Sequence, residues 1–240
     1  MRLLKYLITS LLIHASTSLF AQKQIIYLIP GQGSDYRIFS EIKLDTSYEL
    51  RPITYWTPYP NMSMNNYAHL LAQQIDTTIN FSIIGVSLGG MLATEMTTFL
   101  EPEKVIIISS AKNRHELPKR YTFQRWIPIH QIVPNRISKI GAQILQPIVE
   151  PDRKNEKETF KSMLKSKDPV FYDRTIEMII EWDRESNPDN IIHIHGDNDH
   201  TIPHRNVDYD YLIENGSHMM TLTRSDEIST LLTKILSAQQ

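Results

Sequence analysis

The sequence predicts an α/β fold, in which a mostly parallel sheet is flanked by helices and interrupted by a helical insert. Three observations lead to this prediction. Short apolar runs alternate with segments of helical periodicity in the first half of the chain, a long stretch with little strand character follows, and strand-like runs then return. Parallel strands need long crossover connections, which the helical segments between the runs supply.

The predicted strands are short, largely apolar segments, most of them bounded by turn-forming residues. They lie at Gln24–Ile29, Tyr48–Thr54, Phe81–Val86, Lys104–Ser109, Asn190–His195 and Asp208–Ile213. Apolar residues spaced three or four apart predict helices at Asn61–Ile75 and Ser87–Leu100. We also expect a short helix at Ser34–Ile42 and a closing helix at Ser225–Ala238.

The chain divides into four predicted segments. Residues 1–21 have a basic start, a short apolar run and a small residue at Ala21, which is typical of a secretory signal peptide cleaved after that residue. A buried first helix or strand is the alternative. Residues 22–110 and 185–240 form the two parts of the core, and residues 111–184 form the helical insert. We therefore expect an exported protein, either periplasmic or secreted.

Composition excludes several functional classes. With 41% hydrophobic and 22% charged residues the chain resembles soluble globular domains and not disordered ones. A net charge of -2 does not favour nucleic acid as a partner. The absence of Cys excludes a disulfide framework, a zinc finger, an iron–sulfur cluster, a thiol nucleophile and a lipoprotein anchor.

The positions of the glycines indicate where the backbone needs a conformation or a contact that other residues do not allow. The chain has only eight, and seven of them fall at predicted strand ends or turns. We expect these positions to need either a positive φ or a close approach of two backbone segments.

Gly85-Val86-Ser87-Leu88-Gly89 matches the pattern G-x-S-x-G between a predicted strand and a predicted helix. In this context the serine sits on a sharp, strained turn that presents its hydroxyl as a nucleophile. Backbone N–H groups must then stabilise the oxyanion that forms. We expect these donors to be Leu88 and, in the loop Pro30–Gly33, Gln32. A packing turn with a helix-capping serine and an ordinary strand-to-helix turn are the alternatives.

The segment His195–Pro203 resembles the H-G-x-x-D-x-x-x-P loop of the α/β-hydrolase superfamily. This resemblance implies that Asp199 is the acid of a catalytic triad, with Asp197 as its local competitor. It also implies that His218 is the general base, so that the triad follows the order Ser87, Asp199, His218. In two respects the chain departs from the family. Pro30 stands where the family often has His, and the short gap before His218 leaves little room for a helix.

The resemblance implies a serine hydrolase that cleaves a carboxylic ester of a small molecule or lipid through an acyl-enzyme. No cofactor is implied, and no stable membrane span remains after signal removal. Thioester, amide or C–C bond hydrolysis by the same triad, and a non-catalytic binding protein, remain open. The insert resembles the family's lid, whose aromatic residues could line an acyl pocket or form a small core of their own: Tyr121, Phe123, Trp126, Phe160, Phe171, Tyr172 and Trp182.

A histidine cluster offers a metal site as a competing interpretation. His193, His195, His200 and His204 lie close in sequence to Asp197 and Asp199, a spacing that can bind zinc. Asn198, however, stands where the H-x-H-x-D-H pattern of metallo-β-lactamase-like hydrolases needs a histidine. We therefore expect no metal site: His193 packs in the sheet, His195 anchors the acid loop, and the other two lie at the surface. The basic residues Arg114, Lys119, Arg120 and Arg125 could favour anionic substrates, but we expect a solvated face.

Overall fold

A computed structural model describes residues 23–126, 156–187 and 190–238. The predicted signal peptide, residues 1–21, lies outside the described residues. So does the part of the predicted insert at residues 127–155.

The core is a six-stranded, all-parallel sheet with the strand order β2-β1-β3-β4-β5-β6. The strands are β1 (Gln24–Ile29), β2 (Tyr48–Pro52), β3 (Phe81–Val86), β4 (Val105–Ile108), β5 (Ile191–Gly196) and β6 (Tyr211–Ile213). The predicted α/β class is confirmed. Because all the strands are parallel, their carboxyl ends meet at one edge of the sheet, where ligands bind in open α/β folds.

The described helices are α1 (Met64–Ala72), α2 (Leu88–Met96), α3 (Lys119–Trp126), α4 (Lys157–Ser166), α5 (Pro169–Ile180), α6 (Met220–Thr223) and α7 (Ser225–Ser237). Among these described helices, none is long and apolar enough to cross a membrane.

Apolar side chains cover both faces of the sheet. Alternate residues of β1 point to opposite faces, as the pleat requires, so Tyr27 belongs to one buried cluster and Leu28 to the other. The first cluster packs β1, β3 and β4 against α1, α2 and α5. The second packs the opposite face against α4, α6 and α7. Helices on both faces explain why the central strands read as continuous apolar runs.

The insert leaves the core after β4 and returns before β5, although these two strands pair directly. Its two ends are joined to each other: the N–H of Arg114 donates to the carbonyl of Arg184 at 3.0 Å, and Asn113 Nδ2 donates to Asn187 Oδ1 at 2.7 Å. The insert thus starts and finishes at one place on the sheet edge.

Several predicted elements are longer than the observed ones. The segment predicted as a helix at Ser34–Ile42 forms only a 3-10 turn at Tyr36–Phe39, which the Asp35 carboxylate caps by accepting from the N–H of Arg37. The last strand starts three residues later than predicted. Asp208 and Asp210 instead bond to His193, through the Asp208 carbonyl and the Asp210 carboxylate.

Candidate active site

Ser87 occupies the junction between β3 and α2 and has φ 52° and ψ -120°. A positive φ is costly for a residue with a side chain, and such strain persists where the surrounding structure enforces it. Here the Ser87 carbonyl accepts from the N–H groups of Gly90 and Met91 at 2.9 and 3.2 Å, and from Ser110 Oγ at 2.7 Å. These bonds fix the turn that lifts the Ser87 side chain off the sheet.

The flanking glycines are required by close approach of the backbone. A Cβ on Gly85 would lie 2.3 Å from the Gly89 carbonyl oxygen, and a Cβ on Gly89 would lie 2.1 Å from that of Ile29. None of the described glycines has a positive φ. Of the two demands expected from the sequence, a positive φ or a close approach of backbone segments, only the close approach is therefore found at these glycines.

The structure brings Ser87, Asp199 and His218 together from the ends of three strands. His218 Nε2 lies 2.9 Å from Ser87 Oγ, and His218 Nδ1 lies 2.7 Å from Asp199 Oδ2. Since a carboxylate only accepts, Nδ1 carries the proton and Nε2 is left to accept from the serine hydroxyl. This is the tautomer that a general base needs.

Asp199 is held as an acceptor by its own loop. It is 2% exposed, and its Oδ1 accepts from the N–H groups of Thr201 and Ile202, both at 2.8 Å. Asp197, the local competitor, lies two residues earlier, and its Oδ1 has no hydrogen-bond partner among the described residues. The carboxylate that meets the imidazole is therefore that of Asp199.

The loop that follows β1 lies against the serine. A Cβ on Gly31 would approach the Ser87 Cβ to 3.3 Å. Within the described ranges, neither the N–H of Gln32 nor that of Leu88 donates to a backbone carbonyl. Both amides are thus able to donate to another acceptor beside Ser87.

An open cleft of about 500 Å³ surrounds Ser87 and His218. Three of the seven predicted insert aromatics line it, namely Tyr121, Phe160 and Tyr172. Phe123, Phe171 and Trp182 do not line it. Phe171 and Trp182 are buried in the core, and Phe123 is exposed. The side chain of Trp126 lies outside the described part of the chain.

Tyr172 lines the cleft, and its close approach to Gly33 was not predicted from the sequence. Its hydroxyl is buried, has no hydrogen-bond partner among the described groups, and lies 3.0 Å from where a Cβ on Gly33 would be. Burial raises the pKa of the Tyr172 phenol above its ordinary value, so the group stays protonated at neutral pH. Nothing local in the sequence signals this contact, because the two residues are far apart in the chain.

The histidine cluster is arranged for hydrogen bonding. His193 and His195 are fully buried on β5, and His195 Nε2 lies 2.8 Å from the carbonyl of Ile202 in the acid loop. His200 is exposed, and His204 Nδ1 lies 3.0 Å from the Asp197 carbonyl. Within residues 23–126, 156–187 and 190–238, no group of three or more His, Asp or Glu side chains is placed to hold a metal ion.

Two of the basic residues at the start of the insert form ion pairs with acids near the surface. Arg114 contacts Glu185 at 2.9 Å, and Arg125 contacts Glu181 at 3.2 Å. Arg120 differs, because it lines the cleft and donates to the carbonyl of Thr201.

Solved structures resemble the chain over most of its length. A thermophilic esterase from Thermogutta terrifontis matches with a TM-score of 0.70 and 16% identity, over 90% of each chain. An esterase from Exiguobacterium antarcticum matches with a TM-score of 0.63 and 16% identity, over 90% of this chain and 93% of that one. MenH from S. aureus matches with a TM-score of 0.66 and 15% identity, over 89% and 93%. No protein-family model and no curated protein sequence matches the chain.

These likenesses define the class of fold: the chain has the α/β-hydrolase fold, as the sequence resemblance implied.

Proposed function

We propose that the protein is a serine hydrolase that cleaves a carboxylic ester of a small molecule or lipid through an acyl-enzyme. One observation carries this proposal: a continuous hydrogen-bonded series runs from Ser87 Oγ through His218 to Asp199. A strained serine beside an imidazole that a buried carboxylate orients is the arrangement that activates a hydroxyl nucleophile.

The proposed reaction begins when Ser87 Oγ attacks the ester carbonyl and passes its proton to His218 Nε2. Asp199 stabilises the imidazolium, and the N–H groups of Gln32 and Leu88 hold the oxyanion. His218 then protonates the leaving alcohol as the C–O bond breaks. Water attacks the acyl-enzyme and gives a proton to His218, which passes it to Ser87 Oγ as the acyl C–O bond breaks, so that the acid is released and the free serine is restored.

One feature supports a substrate with an acyl group, and a second supports an ester. Apolar side chains form much of the cleft wall, among them Val86, Leu117 and Ile202, which suits an acyl group. Two of the structural neighbours described above are esterases by name. Thioester, amide and C–C substrates use the same nucleophile, so a panel that pairs each bond type with one acyl group separates them. We expect the ester to have the largest kcat/KM.

Labelling with a fluorophosphonate probe tests the proposal, because only an activated serine reacts. We expect mass spectrometry to place the adduct on Ser87, and Ser87→Ala to abolish both labelling and turnover of a short-chain p-nitrophenyl ester. Ser109→Ala is the matched control. Like Ser87, Ser109 has a positive φ, of 48°, and directly follows a strand, in this case β4; its side chain, however, is buried. The proposal fails if the wild type is not labelled, or if Ser87→Ala retains activity.

We also propose that the protein is exported and that residues 1–21 are removed. The basic start and apolar run of that segment support this. Amino-terminal sequencing of protein recovered from outside the cytoplasm should begin near Gln22, whereas an intact Met1 would contradict it.

A further inference from the structure

Two fully buried imidazoles lie behind the carboxylate of Asp199, and the proposed reaction does not use them. His193 and His195 are two residues apart on β5. Their ring nitrogens make three contacts in series. His193 Nδ1 lies 2.9 Å from the Asp208 carbonyl, His193 Nε2 lies 3.0 Å from His195 Nδ1, and His195 Nε2 lies 2.8 Å from the Ile202 carbonyl.

The number of protons needed for these contacts exceeds what neutral rings supply. A carbonyl oxygen only accepts, so both outer contacts need an N–H on the imidazole. The central contact joins two ring nitrogens and needs one more proton. Two neutral imidazoles carry two ring protons in total. Three hydrogen bonds therefore require a third proton, and with it one positive charge on the pair.

A neutral pair would leave one contact unmade inside the protein. Either two nitrogen lone pairs would face each other at 3.0 Å, or the carbonyl of Asp208 or the buried carbonyl of Ile202 would lose its imidazole donor. We propose that His193 and His195 share one additional proton at neutral pH, so that the pair is a buried monocation facing Asp199.

The nearest charge favours this proton. His195 Nε2 lies 3.5 Å from Asp199 Oδ2, so a cation on the pair would balance a carboxylate that is itself buried. Other ionisable groups surround the pair on the elements packed against it. The acids are Glu116, Asp199, Asp208 and Asp210, and the cationic or basic groups are Lys112, His204 and His218.

Burial acts in the opposite direction. It lowers the pKa of both rings, and repulsion between the two rings adds to the effect for His193. This repulsion excludes a second additional proton, since two charged rings would face each other. The first proton differs, because it completes three hydrogen bonds and meets the Asp199 carboxylate. In the proposed state these contacts together outweigh the cost of desolvation.

Nitrogen NMR of the wild-type protein with ¹⁵N-labelled histidine counts these protons at pH 7. Through-bond correlations and contacts to Ile202 assign the two rings among the nine histidines. We expect three of their four ring nitrogens to be protonated, with the two inner nitrogens sharing one proton. Two protons on the pair would overturn the proposal. This count does not depend on the proposed ester hydrolysis.

A second measurement rests on the proposed function and uses the pH profile of kcat/KM. A nearby positive charge opposes protonation of His218, so removing it should move the midpoint of the acidic limb to higher pH. We expect a rise of about half a unit or more in His193→Gln. His69→Gln is the control, because His69 lies on α1 and stacks on Phe99. A loss of kcat with an unchanged midpoint would show a purely structural role and contradict the charge.

The two measurements separate the possible failures. If no ester is cleaved, the proton count still tests the pair. If His193→Gln does not fold, the wild-type count decides alone.

Discussion

Gln32 Nε2 donates a 2.7 Å hydrogen bond to Oγ1 of Thr175, a fully buried residue of α5. The same nitrogen lies 3.3 Å from the carbonyl of Tyr172, one turn earlier in that helix. Thr175 Oγ1 in turn donates to the carbonyl of Phe171 at 2.7 Å. The residue whose N–H is proposed to hold the oxyanion is therefore fixed by the insert.

Thr175→Val should lower kcat by about tenfold with little change in KM, because small displacements of a positioned group reduce rate more than binding. Valine keeps the shape of threonine and removes the acceptor for Gln32. Thr94→Val is a matched control, since Thr94 is also buried and donates to the carbonyl four residues before it, at 2.9 Å. Steady-state kinetics on a p-nitrophenyl ester gives both values. Equal kcat in the two variants would show that the Gln32–Thr175 bond does not position the loop.

Asp199→Asn should reduce kcat by about 10³–10⁴-fold while the fold is retained. The amide favours the wrong tautomer of His218, whose Nε2 would then carry a proton and could not accept one from Ser87. Asp197→Asn serves as the control, because that side chain is not the one that meets the imidazole. Circular dichroism checks the folding of both variants. Similar losses in the two would remove the distinction between these carboxylates.

Tyr172 and Gly33 should show coupled stabilities in urea unfolding. Tyr172→Phe removes a buried hydroxyl that has no partner among the described groups, so we expect an unchanged or slightly higher free energy of unfolding. Gly33→Ala places a Cβ 3.0 Å from that hydroxyl and should destabilise by about 1 kcal/mol. In the double variant the next nearest atom is 3.6 Å away, on Leu164, so the cost of the alanine should shrink. Strictly additive effects would contradict the contact.

Glu116 should give the stability a distinctive pH dependence. Burial raises the pKa of its carboxyl above the ordinary value of 4.5, although the N–H of Lys112 donates to it at 2.6 Å. A raised pKa in the fold means that the contribution is complete below 4.5 and is lost as pH rises through the folded value. Glu116→Gln lacks this loss and should gain stability relative to the wild type as pH rises.

Glu185→Gln provides a control of opposite sign. The hydrogen bond from His115 lowers the pKa of the exposed Glu185 carboxyl, so its contribution is present at higher pH and lost on acidification. This variant should therefore lose stability relative to the wild type as pH rises. Urea unfolding of all three proteins across the acidic range gives the two trends. Parallel trends in both variants would be inconsistent with these shifts.

The local sequence was sufficient to predict those segments whose structure depends mainly on their own pattern of apolar and turn-forming residues. The apolar runs Gln24–Ile29 and Phe81–Val86 are strands with the predicted bounds, and the turn after Phe81–Val86 presents Ser87 as the motif indicated. The pairing of Asp199 with His218 was expected from the resemblance to a family, whose loop spacing favoured Asp199 over Asp197. The Gln32–Thr175 bond could not be predicted, since its partners are separated by 143 positions and meet only through packing of the insert. The last strand was overextended because Asp208 and Asp210 are used by His193.

The joined ends of the insert have a consequence for how such a protein can diversify. A backbone hydrogen bond between Arg114 and Arg184 joins the two ends of the insert, and β4 pairs directly with β5. The residues between these ends could therefore be exchanged without breaking the hydrogen bonds between the two strands. The side chains that line the cleft could then change while Ser87, Asp199 and His218 keep their positions. Any replacement would have to supply apolar side chains that cover the sheet, as Phe171 and Trp182 do here, and a hydrogen-bond acceptor for Gln32 at the position of Thr175.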